Sequence, residues 1–231
     1  MEIRLDVTTT ADAVRIEQRY AGVAKYLGEE IGATLTLVVS NSPSVRDHPL
    51  NSILIAPPIL IRKSMDYSYT PVAQGGNKDR VLFVARTHSR SARLRQYRGT
   101  RLAMPTQGSQ AEFMARRTLN QAAIRAEQFF GSIRYGTAKE SPISALIAGI
   151  VDVAAVSERM LPPGDTEIAR LATTPLFPTF GISMRNRQGN AAFERMRKAL
   201  FLPSEEGRKQ LETTGIMPLD AMDNTFFSVA T

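Results

Sequence analysis

The polar side chains best suited to chemistry in this sequence stand in short loops that directly follow apolar segments. Most are hydroxyls and amides, joined by one lysine and one proline. Hydroxyl, amide and backbone N–H groups donate hydrogen bonds, so these loops suit the binding of a small oxyanion. The residues predicted to bind a ligand are Thr8, Thr9, Thr10, Asn41, Ser42, Pro57, Thr106, Gln107, Ser109, Gln110, Lys139 and Ser157.

The segments around the first loops predict a parallel βαβ unit. Ile3, Leu5 and Val7 alternate with charged residues as in a β-strand, and a helix with an apolar face follows over residues 16–31. The apolar run at 35–39 is the next strand. Loops at the carboxyl ends of parallel strands direct helix N-terminal N–H groups and partial positive charge toward an anion.

Further strands predict a second α/β series. Residues 53–55 and 80–85 are strands, and the stretch from Tyr67 to Asn77 is a turn-rich connection. Short strands at 101–105, 133–135 and 151–156 then alternate with helical segments. Two sheets are therefore expected, and the chain returns to the first sheet through the proline-rich segment 173–178.

Composition excludes several classes of function. The 231 residues include no cysteine, and His48 and His88 are the only histidines. Motifs of serine hydrolases, P-loop enzymes and zinc proteases are also absent, so no enzymatic activity, metal or cofactor is predicted. The net charge of +7 favours an anionic partner. The sequence contains no run of 18 apolar residues, so no transmembrane helix is predicted. It also shows no signal peptide, so if the protein is exported, we expect this sequence to begin after the cleavage site.

Several segments, in this order, resemble the phosphate/phosphite/phosphonate ABC-transporter substrate-binding family. They are RYAGVAKYLGEEIGATLTLVV, LIAPPIL, YTPVAQGG, RVLFVART, LRQYRGTRLAMPTQGSQAEFMARRTL, ISALIAGIVDVAAV and ARLATTPLFPTFGISM. The resemblance implies an α/β, two-lobed periplasmic binding protein-like fold of type II, with two crossover strands and a ligand cleft between the lobes. The first lobe takes residues 1–85 and 182–231, and the second takes residues 86–181.

The resemblance also implies a function and partners. The chain is expected to be a periplasmic or extracytoplasmic monomer that captures a small anion and delivers it to an ABC permease in the membrane, with no nucleic-acid partner. A phosphonate or phosphate-like oxyanion is the expected ligand. The alternative is a ligand-sensing domain of the same fold in a signalling or regulatory system.

Four departures from the family bear on the ligand. The Ser-Thr-Ser run that binds the oxyanion in similar proteins corresponds to Ser109, Gln110 and Ala111, so only Ser109 keeps a hydroxyl. A cleft histidine corresponds to Lys139, and a tyrosine of the first lobe corresponds to Leu60. An acidic residue that follows VDVAAV in many relatives is Ser157 here, which removes a partner for a ligand amine. An anion without an essential amino group is therefore expected.

Several of the predicted site residues also have explanations that involve no ligand. Thr8–Thr10, Ser109 and Gln110 are residue types that cap helices, and Lys139 is equally suited to a solvated surface. The six arginines between 86 and 101 form a basic run that fits a solvated face better than a nucleic-acid patch, because Tyr97 is the only aromatic among them. Arg86 is the one member considered for the cleft. Residues 42–52 would have to contain any helix that precedes the third strand, and Pro43, Asp47 and Pro49 interrupt most of that stretch. A short loop here would widen the cleft for a larger ligand.

Overall fold

The structure is a computed structural model that describes residues 2–8, 13–40, 52–87, 93–137, 140–161, 167–185 and 191–218. The strands are β1 (Glu2–Thr8), β2 (Thr34–Ser40), β3 (Ser52–Ala56), β4 (Tyr69–Gly75), β5 (Lys78–Asp79), β6 (Val81–Arg86), β7 (Arg101–Met104), β8 (Ser132–Tyr135), β9 (Val153–Ser157), β10 (Ile168–Thr173), β11 (Phe177–Pro178), β12 (Gly181–Arg185) and β13 (Ile216–Pro218). The helices are α1 (Ala13–Ile31), α2 (Pro58–Met65), α3 (Gln110–Gln121), α4 (Ala126–Phe129), α5 (Pro142–Ile147), α6 (Ala191–Phe201) and α7 (Glu205–Thr214).

The chain divides into two compact units. The first contains residues 1–78 and 178–231, and the second contains residues 79–177. The boundaries predicted from the sequence, at 85/86 and 181/182, lie later in the chain. The difference arises because β6, which was assigned to the first lobe, pairs with β9 and β10 of the second unit.

The first unit is built on a sheet with the strand order β13-β4-β12-β3-β1-β2. β1 is parallel to β2 and β3, as the βαβ pattern predicted, whereas β12 is antiparallel to β3 and β4. The predicted apolar face of α1 is confirmed, since Tyr20, Val23, Leu27 and Ile31 are all buried. The helix is followed by Gly32, whose φ of 68° is the left-handed conformation that favours glycine.

The prediction of a turn-rich connection from Tyr67 to Asn77 was wrong, because β4 occupies most of it. Pro71 made this segment resemble a loop, since proline cannot donate a hydrogen bond to a neighbouring strand. The register between β4 and β12 shifts between Ile182 and Ser183, and Ser183 lies opposite Pro71. The irregular pairing at this point accommodates the proline inside the sheet.

The second unit is built on a sheet with the strand order β10-β6-β9-β7-β8. β7 is parallel to β8 and β9, and β6 runs antiparallel to β9 and β10. One of its apolar clusters joins buried residues of the sheet to Ile143 and Leu146 of α5. Ser141 caps α5, Pro142 begins it and Gly149 follows it with a φ of 71°, so residues typical of helix ends stand at both ends of this helix.

Asp152 fixes the start of β7 and should make the second unit sensitive to acid. Its carboxylate accepts hydrogen bonds from the backbone N, Nε and one terminal nitrogen of Arg101 at 2.9–3.0 Å. The hydrogen bond from the Arg101 side chain lowers the pKa of Asp152 below its ordinary value, and the charge of Arg86 acts in the same direction. Because the folded pKa is depressed, this stabilisation is present above the unfolded pKa and is lost as the pH falls through the folded pKa.

We therefore expect Asp152→Asn to lower the melting temperature at neutral pH and to lower it less below about pH 4, the ordinary range of an aspartate pKa. Thermal unfolding of both proteins across this range measures the difference. Asp66→Asn is the control, because an exposed carboxylate after the C-terminal end of α2 gains nothing from the helix dipole. If the difference in melting temperature between the wild type and Asp152→Asn does not change with pH, the acid sensitivity does not come from the Asp152 carboxylate.

Candidate functional site

Polar loops meet at one edge of the second sheet. β7, β8 and β9 are parallel, so the segments that follow Met104, Tyr135 and Ser157 leave the sheet at the same edge. β6 begins at this edge, because Val81 pairs with Ser157 in an antiparallel register. The structure therefore brings together the loop at 105–109, the loop that begins at Gly136, Ser157 and the residues just before β6.

The first of these loops leads into the N-terminus of α3. Gly108 has a φ of 77°, and the Ser109 N–H donates to the carbonyl of Thr106 over 3.1 Å. Ser109 is the N-cap residue, and its Oγ accepts the Glu112 N–H at 3.2 Å. The hydroxyl of Ser109 thus caps the helix as an acceptor, which leaves its hydrogen for a second partner. Thr106 and Gln107 are exposed, whereas Gln110 is buried.

Glu112 is a residue of this loop region that the sequence interpretation missed. Its Oε2 accepts the Gly108 N–H at 2.6 Å, and its Oε1 accepts Nε of Arg116 at 2.7 Å. A serine at the N-cap with a glutamate three residues later is the spacing of a capping box, and this signal is present in the sequence. A carboxylate of the protein therefore stands at the helix N-terminus where an anion was expected.

Arg116 joins this carboxylate to two neighbouring elements. It donates to Glu127 Oε1 at 2.6 Å and to the Tyr135 hydroxyl at 2.5 Å, in addition to Glu112. The hydrogen bonds to Glu112 and then to Glu127 raise the pKa of Arg116 above its ordinary value. The guanidinium thus links α3, α4 and β8 as a permanent positive charge.

The loop after β8 is held by its own hydrogen bonds. The Gly136 N–H donates to the Met104 carbonyl at 2.8 Å, which keeps the start of this loop beside β7. The Thr137 N–H donates to the Glu140 carbonyl, and the Glu140 N–H donates to Thr137 Oγ1. Lys139, the predicted cation of this loop, lies outside the described residues.

Ser157 is accompanied by carboxylates that the sequence interpretation overlooked. Its hydroxyl donates to Asp79 Oδ2 at 2.6 Å, and Glu158 forms a two-bond ion pair with Arg80 at 2.7 and 2.8 Å. The hydrogen bond from Arg80 lowers the pKa of Glu158 below its ordinary value. Asp79 of β5, the short strand just before β6, thus brings a carboxylate to Ser157. The expectation of a ligand without an essential amino group stays a prediction.

Arg86 lies away from these loops. Arg86 ends β6, five residues after the Val81 that pairs with Ser157. Its guanidinium lies beside Gly149, at the opposite end of the strands from Ser157. The antiparallel direction of β6 relative to β9 places Arg86 near the start of β9 rather than near its end. The structure therefore does not bring Arg86 to the edge that carries Thr106, Ser109 and Ser157.

In the first unit, the described site residues follow the parallel strands β1 and β3. Thr8 ends β1 opposite Ser40, and its buried Oγ1 has no hydrogen-bond partner among the described residues. Pro57 is the N-cap residue of α2, and its carbonyl accepts the N–H groups of Leu60 and Ile61. Leu60, the counterpart of a family tyrosine, packs against the apolar cluster of α2. Thr9, Thr10, Asn41 and Ser42 lie outside the described residues.

Within the described ranges, no group of three histidine, aspartate or glutamate side chains is arranged to hold a metal ion. The helices of these ranges also include none long and apolar enough to cross a membrane. The polar groups at the edge of the second sheet are hydroxyls, amides, N–H groups and carboxylates, of which Glu112 and Glu158 are ion-paired and Asp79 is hydrogen-bonded. Such a set can bind a polar ligand through hydrogen bonds.

Comparison with known families identifies the chain. The model of the ABC transporter, phosphonate, periplasmic substrate-binding protein family matches residues 59–226. The chain belongs to this family. Membership confirms the resemblance read from the sequence and the expectation of a non-enzymatic, solute-binding protein that works with an ABC transporter. No curated protein sequence matches this phosphonate-family chain significantly.

Solved structures of low sequence identity share the fold of this family member. A Xanthomonas citri protein bound to ATP has a TM-score of 0.75 at 16% identity, with 98% of this chain and 94% of that chain covered. A Prochlorococcus marinus protein in complex with methylphosphonate has a TM-score of 0.64 at 12% identity, with 96% of this chain and 94% of that chain covered. The binding protein of a Pseudomonas aeruginosa ABC phosphonate transporter has a TM-score of 0.62 at 13% identity, with 96% and 82% covered. The predicted α/β periplasmic binding-protein fold is confirmed.

Proposed function

We propose that this protein is the solute-binding component of an ABC importer and that it captures a small phosphonate or phosphate-like oxyanion outside the cytoplasm by closure of its two lobes. The family match supports the transporter role. The observation that carries the choice of ligand is the convergence of the loops after β7, β8 and β9 at one edge of the second sheet. The N-terminus of α3 opens at that edge, and the backbone dipoles of a helix favour an anion there.

Under this proposal, hydroxyl and amide groups of the predicted site residues donate hydrogen bonds to the oxyanion. Ser109 would donate the hydroxyl hydrogen that its capping role leaves available, and Thr106 and Gln107 are exposed beside it. The other proposed polar contacts are Thr8, Thr9, Thr10, Asn41 and Ser42 of the first unit and Lys139 of the second. The net charge of +7 would assist the approach of the anion.

Two observations widen the set of ligands to be tested. The Asp79 carboxylate beside Ser157 is suited to a ligand that also carries an ammonium group, so aminoalkyl phosphonates belong in the set. A protein of similar fold is bound to ATP, so organic phosphates belong there as well. Phosphate, phosphite, methylphosphonate and sulfate complete a panel that separates phosphorus oxyanions from sulfur oxyanions.

The test is a thermal-shift panel at fixed ionic strength, because a ligand that binds only the folded protein stabilises it by about 2.7 kcal/mol at 100 times its Kd. We expect a selective rise of the melting temperature with one or more phosphorus oxyanions. No rise with any phosphorus compound, or an equal rise with sulfate, would contradict the proposed ligand class.

Ser109→Ala should separate ligand binding from helix capping. Removing an N-cap serine costs about 1 kcal/mol of stability, so the melting temperature of the free variant falls slightly. We also expect the ligand-induced rise to shrink, because the hydroxyl donor is lost. Calorimetric titration with the ligand that binds best in the panel should give a Kd about tenfold higher than that of the wild type, because a hydrogen bond to a charged group contributes about 1.5–3 kcal/mol.

Ser204→Ala is the matched control for this measurement. Ser204 caps α7 in the same way, with its Oγ accepting the Gly207 N–H at 3.2 Å, but it lies in the first unit. The control should lose a similar amount of stability and keep the wild-type Kd. Equal changes of Kd in the two variants would show that Ser109 acts only as a cap.

A further inference from the structure

We propose that Glu112 sets the affinity and charge selectivity of the candidate site by occupying the N-terminus of α3 as an internal carboxylate. This inference rests on the proposed function, because it concerns how an anion reaches the same loop. It adds a residue that neither the sequence interpretation nor the family resemblance marked as part of the site.

The Glu112 carboxylate holds a donor that an incoming anion would use. Its Oε2 lies 2.6 Å from the Gly108 nitrogen, and the side chain is only 11% exposed. The other described N–H bonds of the loop are internal as well, since Ser109 donates to Thr106 and the Glu112 N–H donates to Ser109 Oγ. An anion at Gly108 must either displace the carboxylate or bind beside its charge.

Arg116 keeps this carboxylate directed at the loop. Its Nε donates to Glu112 Oε1, while its terminal nitrogens are bound to Glu127 and Tyr135 and so fix the guanidinium in place. Glu112 is thus fastened at both oxygens, one by Gly108 and one by Arg116. A charge held in this way acts on any ligand that enters, and displacing it requires breaking a short charge-assisted hydrogen bond.

The resulting selectivity depends on the charge of the ligand. Coulomb repulsion between the carboxylate and a ligand grows in proportion to the ligand charge, so a dianion is opposed about twice as strongly as a monoanion. Glu112 therefore weakens the binding of dianions such as phosphate more than that of monoanions such as an alkyl sulfonate. Without this carboxylate the N-terminus of α3 would favour the more highly charged ligand.

Glu112→Gln tests this role, with Glu127→Gln as the matched control. Glutamine also forms a capping box, so the variant retains the local fold, and the melting temperature of each free protein checks this. Glu127 binds the same arginine but is 62% exposed, and its described ion pair is with Arg116 rather than with the loop at 106–109. Both variants and the wild type are titrated calorimetrically with methylphosphonate and methanesulfonate, at a pH where the phosphonate is a dianion.

We expect Glu112→Gln to bind the dianion about tenfold more tightly than the wild type and the monoanion about threefold more tightly. The repulsion energy is twice as large for the dianion, so the factor by which its affinity changes is squared. Glu127→Gln should leave both affinities unchanged. An unchanged or weaker affinity of Glu112→Gln for methylphosphonate, or an equal gain in Glu127→Gln, would overturn the inference while leaving the proposed function standing. If neither the wild type nor Glu112→Gln binds any oxyanion of the panel, the proposed function fails and the inference fails with it.

Discussion

Gly207→Ala is expected to lower the free energy of unfolding by about 2 kcal/mol, because an added methyl group in a packed interior costs about 1–3 kcal/mol. Gly207 lies in the first turn of α7, where the ring of Tyr26 packs directly against its Cα. A Cβ at this position would overlap the ring atoms and the hydroxyl of Tyr26. Thermal unfolding should show a melting temperature lower by about 4–8 °C, the shift that such a loss produces in a protein of this size.

The Tyr26 ring cannot move aside without loss of other contacts. It is 5% exposed, and its hydroxyl donates to the Ala199 carbonyl of α6 at 2.9 Å. Burial raises the pKa of Tyr26 above its ordinary value, as is typical of a hydroxyl held inside the protein. The ring therefore fixes α6 and α7 on α1, and Gly207 is the residue that leaves room for it.

Gly22→Ala is the control on the same pair of helices. A Cβ at Gly22 of α1 would meet only the end of the Gln210 side chain of α7, which is flexible and partly exposed. Because alanine is favoured over glycine within helices by up to about 1 kcal/mol, this variant should be as stable as the wild type or slightly more stable. A Gly207→Ala protein as stable as Gly22→Ala would contradict the packing argument.

Arg116→Met is expected to lower the free energy of unfolding by about 2 kcal/mol, because removing one partner of a buried ion pair leaves the other charge uncompensated. Glu112 would keep only the Gly108 N–H, and Tyr135 would lose its hydrogen bond to the guanidinium. The expected loss is less than that of a fully buried pair, since the Arg116 side chain is 32% exposed. Denaturant unfolding of the wild type and of Arg116→Met measures this loss in the free energy of unfolding.

The double variant Arg116→Met with Glu112→Gln should recover at least half of this loss. Neutralising Glu112 removes the uncompensated charge that makes the single variant unstable, so the two substitutions are not additive. Glu127→Gln alone should change the stability by less than about 0.5 kcal/mol, as is usual for an exposed ion pair. Additive losses in the double variant would show that Arg116 stabilises the second unit through packing instead of charge.

Many elements could be predicted from the sequence because their signals are local. The apolar face of α1, the serine and proline that begin α5, and the glycines after α1, α5 and α7 all act within a few residues of the chain. The strand at β4 could not be predicted in this way. Its proline is tolerated only because β12, more than a hundred residues later, shifts its register beside it.

For the candidate site, the sequence predicted the positions of the loops but only part of their chemistry. The order of strands and helices was enough to place Thr106–Gln110 and Ser157 at the carboxyl ends of β7 and β9, and the capping role of Ser109 was among the alternatives. The capping-box signal at Ser109 and Glu112 was present but overlooked. By contrast, the approach of Asp79 to Ser157 depends on residues 78 positions apart.

The family, the α/β class and the loops that carry hydrogen-bond donors could be predicted from the residues alone, because these features follow from periodicity and from motifs with a fixed order. The charges that accompany those donors depend on contacts between distant parts of the chain. Strand pairing brings Asp79 to Ser157, and helix packing brings Arg116 within reach of Glu127 and Tyr135. Ion pairs between distant segments depend on distances in space, which the spacing of residues along the chain does not determine.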